Sequence, residues 1–306
     1  MDGALRHCFT HGTICLPVLT ISTVRFRYFY IRMIHMKSLS CLFILLLLMS
    51  LSQAQSTREI RKTVELIMPK GNGDNGGTVA INLKNRNIYA TIVGNKTYSM
   101  AFFNGIGEMT SPPDLALLAD VRGLWYNPVL KSFQANTFGG NWVNYVIDDA
   151  GIPYDIKPAF NNVPQPNANS VAVFNQRENV VYFLKGTTVI TIDVNTGKRV
   201  PEKTYVLKIG YTKKAPAPAD YKADSINVPA NYNTTTVIYT GITNAEFGLL
   251  NIATREIELY SKQDGLLYQK LKLPKEASPR DKFNFGFANN TYFLFDKQKR
   301  SWVGYR

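Results

Sequence analysis

The sequence predicts an all-β protein: a single β-propeller of five blades, each of about four antiparallel strands, with its ring closed by an N-terminal strand. Three observations predict this. Short stretches rich in β-branched and aromatic residues recur, among them TVAINL, IYATIV, SVAVFN, VVYFL, TVIYT and YFLF, bounded by Asn and Gly. No long amphipathic helical pattern occurs from residue 55 onward. A turn grammar also repeats: an apolar strand, then Asp or Asn, a short turn and another strand. Its markers are Asn104, Asp148, Asp193, Asn251 and Asp296, at spacings of 44, 45, 58 and 45. A period of roughly 40 to 50 residues is that of a propeller blade.

The first 54 residues are expected to lie outside this domain. Residues 36–54, MKSLSCLFILLLLMSLSQA, have the three parts of a secretory signal peptide. Lys37 supplies the positive start, Leu39 to Leu51 the apolar core, and Ser52 and Ala54 the small residues before cleavage. The apolar run falls short of the roughly 20 residues a membrane span needs, so the mature chain, 55–306, carries no transmembrane span. Residues 1–35 are read as a non-native or upstream extension, with Met36 the true start.

Cleavage after Ala54 has a chemical consequence. His7, His11, His35, Cys8, Cys15 and Cys41 are all the histidines and cysteines of the chain, and all precede the cleavage point. The mature chain then lacks imidazole bases, thiolate nucleophiles, disulfides and His/Cys metal sites. No metal and no cofactor are expected. Residues 1–54 also hold five of the 35 basic and one of the 22 acidic residues, leaving 30 against 21 and a net charge of +9. These bases are scattered and form no stripe, so no nucleic-acid partner is expected.

Along the mature chain, REIRKTVELIMP (58–69) precedes the first full repeat and lacks a hairpin of its own. It is read as the strand that completes the last blade, pairing with the segment that carries Phe295 and Trp302 and removing two sheet edges. In the repeat turns, Asp or Asn bonds the backbone two residues on, and Gly107, Gly151 and Gly197 supply left-handed backbone. Arg255 and Arg300 stand where a glycine is expected. The long third gap places an insertion near 211–232, where TKKAPAPADYKADSINVPANYN suits an exposed extended loop.

The turn TIDVNTGK at 191–198 resembles the hairpin of YVTN-type and quinoprotein-like propellers, in which an apolar strand ends in Asp and a Thr-Gly turn leads onward. The resemblance covers one blade well and the others loosely, and it implies the propeller fold. The quinone cofactor of quinoprotein dehydrogenases is not carried over, because their tryptophan docking motifs are absent: Trp125, Trp142 and Trp302 are the only tryptophans.

Candidate site residues come from DVRGLWYNP at 120–128. Arg122, Trp125 and Tyr126, with Asp120 beside them, combine a positive fork with flat rings, which suits peptide or carbohydrate contacts at a propeller mouth. The competing reading is that Trp125 and Tyr126 are packed between blades. GNGDNG at 71–76 matches a dinucleotide fingerprint in form only, since a strand and no helix follows it.

The expected function is that of an exported, non-catalytic monomer, in the periplasm, at the cell surface or secreted, which binds a protein or polysaccharide partner. The alternative is a glycoside hydrolase or lyase using carboxylates in the channel, with Asp114, Asp120, Asp148, Asp149, Glu246 and Asp264 as candidates. Two acids converging in one channel pocket would favour that alternative.

Overall fold

The computed structural model describes residues 57–71, 75–93, 98–117, 119–224 and 227–306. The signal-peptide and extension readings for residues 1–54 lie outside the described residues, as do residues 72–74 of the glycine-rich loop. The described residues belong to one compact unit, Gln55–Arg306.

Two strands open this unit, β1 (Thr57–Glu59) and β2 (Lys62–Ile67). Blade 1 follows as β3 (Asn75–Ile81), β4 (Ile88–Val93), β5 (Tyr98–Phe103) and β6 (Ala116–Leu117). Blade 2 is β7 (Val121–Asn127), β8 (Ser132–Thr137), β9 (Trp142–Ile147) and β10 (Pro153–Phe160). Blade 3 is β11 (Val173–Asn175), β12 (Val180–Lys185), β13 (Thr188–Asp193) and β14 (Tyr205–Val206). Blade 4 is β15 (Ile238–Tyr239), β16 (Phe247–Asn251), β17 (Glu256–Tyr260) and β18 (Leu267–Lys272). Blade 5 is β19 (Phe285–Ala288), β20 (Thr291–Asp296) and β21 (Ser301–Tyr305), completed by β2. The fold is the all-β propeller of five blades that the repeat predicts. The single helical element among the described residues is a short 3-10 turn, Phe138–Gly140.

The first strand of each blade is innermost, and β3, β7, β11, β15 and β19 contact one another in sequence round the ring. Five apolar cores lie between blades rather than within them, because each sheet is covered on both faces by its neighbours. Trp125, Trp142, Val181, Phe183 and Ile190 fill one such core between blades 2 and 3, and Leu66, Val79, Phe103, Phe295 and Trp302 another between blades 5 and 1.

Ring closure follows the predicted pairing. Strand β2 lies antiparallel to β21 with Leu66 opposite Trp302, and Arg61 and Arg306 exchange backbone hydrogen bonds of 2.9 and 3.0 Å. Strand β1 goes one step further and adds, parallel, to the outer edge of β18 in blade 4. The N-terminal segment thus ties two blades together.

The repeat markers hold their turns, but not at one blade position. Asn104, Asp148 and Asp193 stand at the end of the third strand, whereas Asn251 and Asp296 end the second strand. The 58-residue gap therefore spans a change of hairpin as well as an insertion. An equivalent set closes the first hairpin of blades 1 to 3: Asn82, Asn127 and Asn175 accept amide bonds from Lys84, Val129 and Arg177 at 2.9, 2.9 and 3.0 Å. Four residues after Asn251 and Asp296, Arg255 and Arg300 take the left-handed backbone at φ 58° and 53° without glycine. Their side chains supply the compensation. Arg255 donates to the carbonyls of Pro274, Lys275 and Ala277, and Arg300 to that of Pro69 at 2.8 Å. A long connection, without strands among its described residues, runs from β14 to β15. Its tip, 213–216, is exposed, but Tyr232 near its end is buried and donates to Glu258 at 2.8 Å.

Candidate functional site

The innermost strands define two faces of the ring, the one where they begin and the one where they end. The sequence-predicted stretch sits on β7, and the structure divides its four residues between different roles.

Trp125 and Tyr126 pack between blades. Trp125 is buried, meets Trp142 edge-on at 5.2 Å and donates Nε1 to Gln134 at 3.2 Å. Tyr126 meets Phe133 edge-on at 5.5 Å on the side facing blade 1. Both belong to the inter-blade cores, as the competing reading expects, although both also border the central channel.

Asp120 and Arg122 come together at the face where the strands begin. A bulge interrupts the β7–β8 register between Val121 and Gly123 and re-aims the intervening side chain. Gly123 is required there, because a Cβ would stand 2.4 Å from the Ala172 carbonyl oxygen and 2.6 Å from Asn136 Oδ1. Arg122 is consequently directed to the end of the channel. Its guanidinium pairs with both carboxylate oxygens of Asp120, through Nη1 to Oδ1 and through Nη2 to Oδ2 at 3.0 Å.

Arg122 also lies between two aromatic rings, 5.3 Å from the centroid of Phe138 and 5.3 Å from that of Phe283. Such cation–π contacts grow stronger where the cation is withdrawn from water, and Arg122 is buried. Phe138 arises from the β8–β9 turn, Phe-Gly-Gly, and remains 52% exposed. Phe283 comes from the lead into blade 5 and holds a left-handed backbone at φ 48°, unusual for a bulky residue. Its amide donates to Thr235 Oγ1 at 3.1 Å. Around it the leads into blades 3, 4 and 5 are joined: the Val171 amide donates to the Thr235 carbonyl at 3.1 Å, and the Thr234 amide to that of Asp281 at 2.7 Å.

Beside this cluster is a polar cleft of about 550 Å³. Asn169, whose Oδ1 accepts from Arg122 Nε at 3.4 Å, belongs to both. Asn167, Asn227 and Thr234 also line it, and Lys185 and Lys282 stand on its walls without an acidic partner among the described residues. No carboxylate among the described residues lines this cleft.

Sequence reasoning missed Phe138, Asn169 and Phe283. A Phe placed directly before two glycines in a turn was the one available signal, since an apolar ring there has no strand to bury it.

The central channel is narrow, about 160 Å³, and lined mainly by apolar and aromatic residues with Thr78 and Gln176 among them; no acid among the described residues lines it. The six candidate carboxylates are dispersed. Asp148 and Asp264 accept turn amides from Ile152 and Leu266 at 2.7 and 3.0 Å, and Glu246 accepts from Asn244 and Lys262 at 3.1 and 2.9 Å. Asp149 adjoins Asp148 in its turn, Asp114 lies in the β5–β6 connection, and Asp120 is engaged by Arg122. They do not bring two carboxyls into one channel pocket, as glycoside hydrolysis requires. Among the described residues no group of three or more His, Cys, Asp or Glu could hold a metal ion, and no helix is long and apolar enough to cross a membrane.

No protein-family model matches the chain, and no curated protein does. Among solved structures, it is similar to an auxiliary nutrient binding protein from Bacteroides ovatus, at TM-score 0.43 and 11% identity. The match covers 78% of this chain and 60% of that one.

Proposed function

We propose that this protein is exported and acts without catalysis, binding a protein or glycan partner through the face where its innermost strands begin. The observation that carries the reading is the placement of Arg122 between Phe138 and Phe283. A buried cation already neutralised by Asp120 gives rigidity, and the half-exposed Phe138 ring above it offers a flat apolar surface in a fixed position. Residues held at uncommon backbone angles cost of order 1–3 kcal/mol and cluster at binding sites, and Phe283 is such a residue. The adjoining cleft adds amide and hydroxyl groups from Asn167, Asn169, Asn227 and Thr234, with Lys185 and Lys282 as positive charge that has no acidic partner among the described residues. Rigid aromatic surface beside adaptable polar groups is the composition of recognition surfaces.

Affinity capture tests this. The full chain, immobilised, is exposed to envelope extract of its own host, and retained protein and carbohydrate are measured against a Lys185→Glu, Lys282→Glu variant. Both lysines are exposed, so the fold is unaffected. Retention that the variant loses supports the reading. Equal retention by both, or none by either, contradicts it.

A further inference from the structure

The opposite face, where the innermost strands end, holds a second candidate site. The channel opens there into a mouth of about 470 Å³, and Ile81, Leu83, Phe174, Tyr239 and Phe287 line both spaces. The channel itself is walled by Val79, Leu124, Val171, Val173 and Phe285 among others. Its volume, about 160 Å³, is enough for a phenyl-sized group, since an apolar cavity of about 150 Å³ accepts benzene, although Thr78 and Gln176 make this lining partly polar.

Charge at the mouth is of one sign. Arg86 and Arg177 line it, and no acid among the described residues does. Both are exposed, and neither makes an ion pair among the described residues. Arg86 holds a left-handed backbone at φ 64°, and its Nη2 donates to the neutral Asn289 Oδ1 at 3.1 Å. Glu178, next to Arg177 in sequence, is paired with Lys203 and Lys262, Glu246 accepts two backbone amides, and Asp148 accepts the Ile152 amide. A pocket of this size with mainly apolar walls, opening at two guanidinium groups that make no ion pair among the described residues, suits an apolar group that carries an anion.

We propose that the channel binds a small amphiphilic carboxylate, seating a phenyl-sized apolar group inside and its carboxylate on Arg86 and Arg177. The same chemistry is presented by a free aromatic acid and by a peptide ending in phenylalanine. This site is separate from the Arg122 face, so its failure leaves the preceding reading untouched.

Calorimetric titration of the full chain with 3-phenylpropionate tests the proposal. Binding is expected at a Kd of about 1 mM or tighter, within what a ligand of this size can reach. The neutral isostere 3-phenylpropan-1-ol should bind about tenfold more weakly, and Arg86→Gln with Arg177→Gln should bring the acid to the level of the alcohol. Val173→Phe, which narrows the channel, should abolish binding of both. Raising salt on the unaltered protein should weaken the acid and not the alcohol, a readout independent of any variant's folding. The tripeptide Gly-Gly-Phe against its amide identifies the source: binding of the acid form alone points to a peptide C-terminus, and binding of 3-phenylpropionate alone to a free acid. Equal affinity for acid and alcohol, full binding by the double variant, or no heat from either the acid or the tripeptide up to about 10 mM overturns the proposal.

Discussion

Leu66, near the start of the described chain, lies directly opposite Trp302, near its end, and both are fully buried in the core between blades 5 and 1. Its neighbour Ile67 points the other way and is 66% exposed. The period of two along a strand makes adjacent residues wholly unequal. Leu66→Ala is expected to destabilise the protein by about 2–5 kcal/mol, and Ile67→Ala by less than about 0.5 kcal/mol. Denaturant midpoints of the two variants check this, and equal midpoints would show that the N-terminal strand does not hold the ring closed.

Left-handed turns without glycine allow a second comparison. Lys131 takes φ 51° with no side-chain bond among the described residues to offset it, whereas Arg255 at φ 58° donates to three carbonyls. Lys131→Gly should therefore be neutral or stabilising by up to about 1 kcal/mol, as relief of strain slightly exceeds the entropy glycine adds to the unfolded chain. Arg255→Gly should cost about 1–3 kcal/mol through the bonds it removes. Thermal melts of both variants give the sign directly.

Two buried tyrosines should respond in opposite directions to loss of a hydroxyl. Tyr145 has no hydrogen-bond partner among the described residues, while Tyr232 donates to the buried carboxylate of Glu258. Tyr145→Phe is expected to raise stability by about 1 kcal/mol, and Tyr232→Phe to lower it by about 1–3 kcal/mol. A loss in both would mean that the Tyr145 hydroxyl is satisfied.

The pH limits follow from the shifted groups. Burial alone would raise the Glu178 carboxyl, but hydrogen bonds from Lys262 and Lys203 outweigh it and hold the pKa below the usual 4.5. A depressed carboxylate stabilises the fold above its unfolded pKa, and this contribution is lost as pH falls through the folded value. Glu178→Gln should thus lose less stability than the intact protein when pH drops from about 6 to about 3. At the alkaline end burial pushes Tyr182, Tyr292 and Tyr305 up to about 12 from 10.0. Raised pKa values leave that stability intact below pH 10 and remove it progressively between 10 and 12. Urea midpoints across pH 6–12 should be level to about pH 10 and then fall.

Much of the ring was legible in the sequence, because strand composition and Asx turns are local properties. Asn104, Asp148 and Asp193 mark equivalent hairpins, and TVELIMP announces an apolar strand without a partner of its own. The blade register was not legible. Asn251 and Asp296 use the same turn chemistry at a different hairpin, and a turn does not encode which strand lies innermost. The inner strands β15 and β19 are short and covered on both faces, so they lack the alternation that identifies a half-buried strand.

The site divided along the same line. Asp120 and Arg122 could be found because they are two residues apart. Phe138 reaches Arg122 through the β7–β8 hairpin of its own blade, whereas Phe283 comes from the last blade and only the closed ring brings it there. Trp125, the most conspicuous residue of the stretch, is conspicuous for packing.

The measurement that most directly tests the central claim compares the two faces of the ring. Phe138→Ala alters the proposed binding face, and Ile106→Ala removes an exposed apolar side chain from a turn on the other. Retention of envelope protein or carbohydrate by the immobilised full chain should fall at least about tenfold for Phe138→Ala, the scale of one interface anchor, and stay unchanged for Ile106→Ala. Retention that survives Phe138→Ala, or that is lost with Ile106→Ala instead, would contradict the assignment of binding to the face built around Arg122.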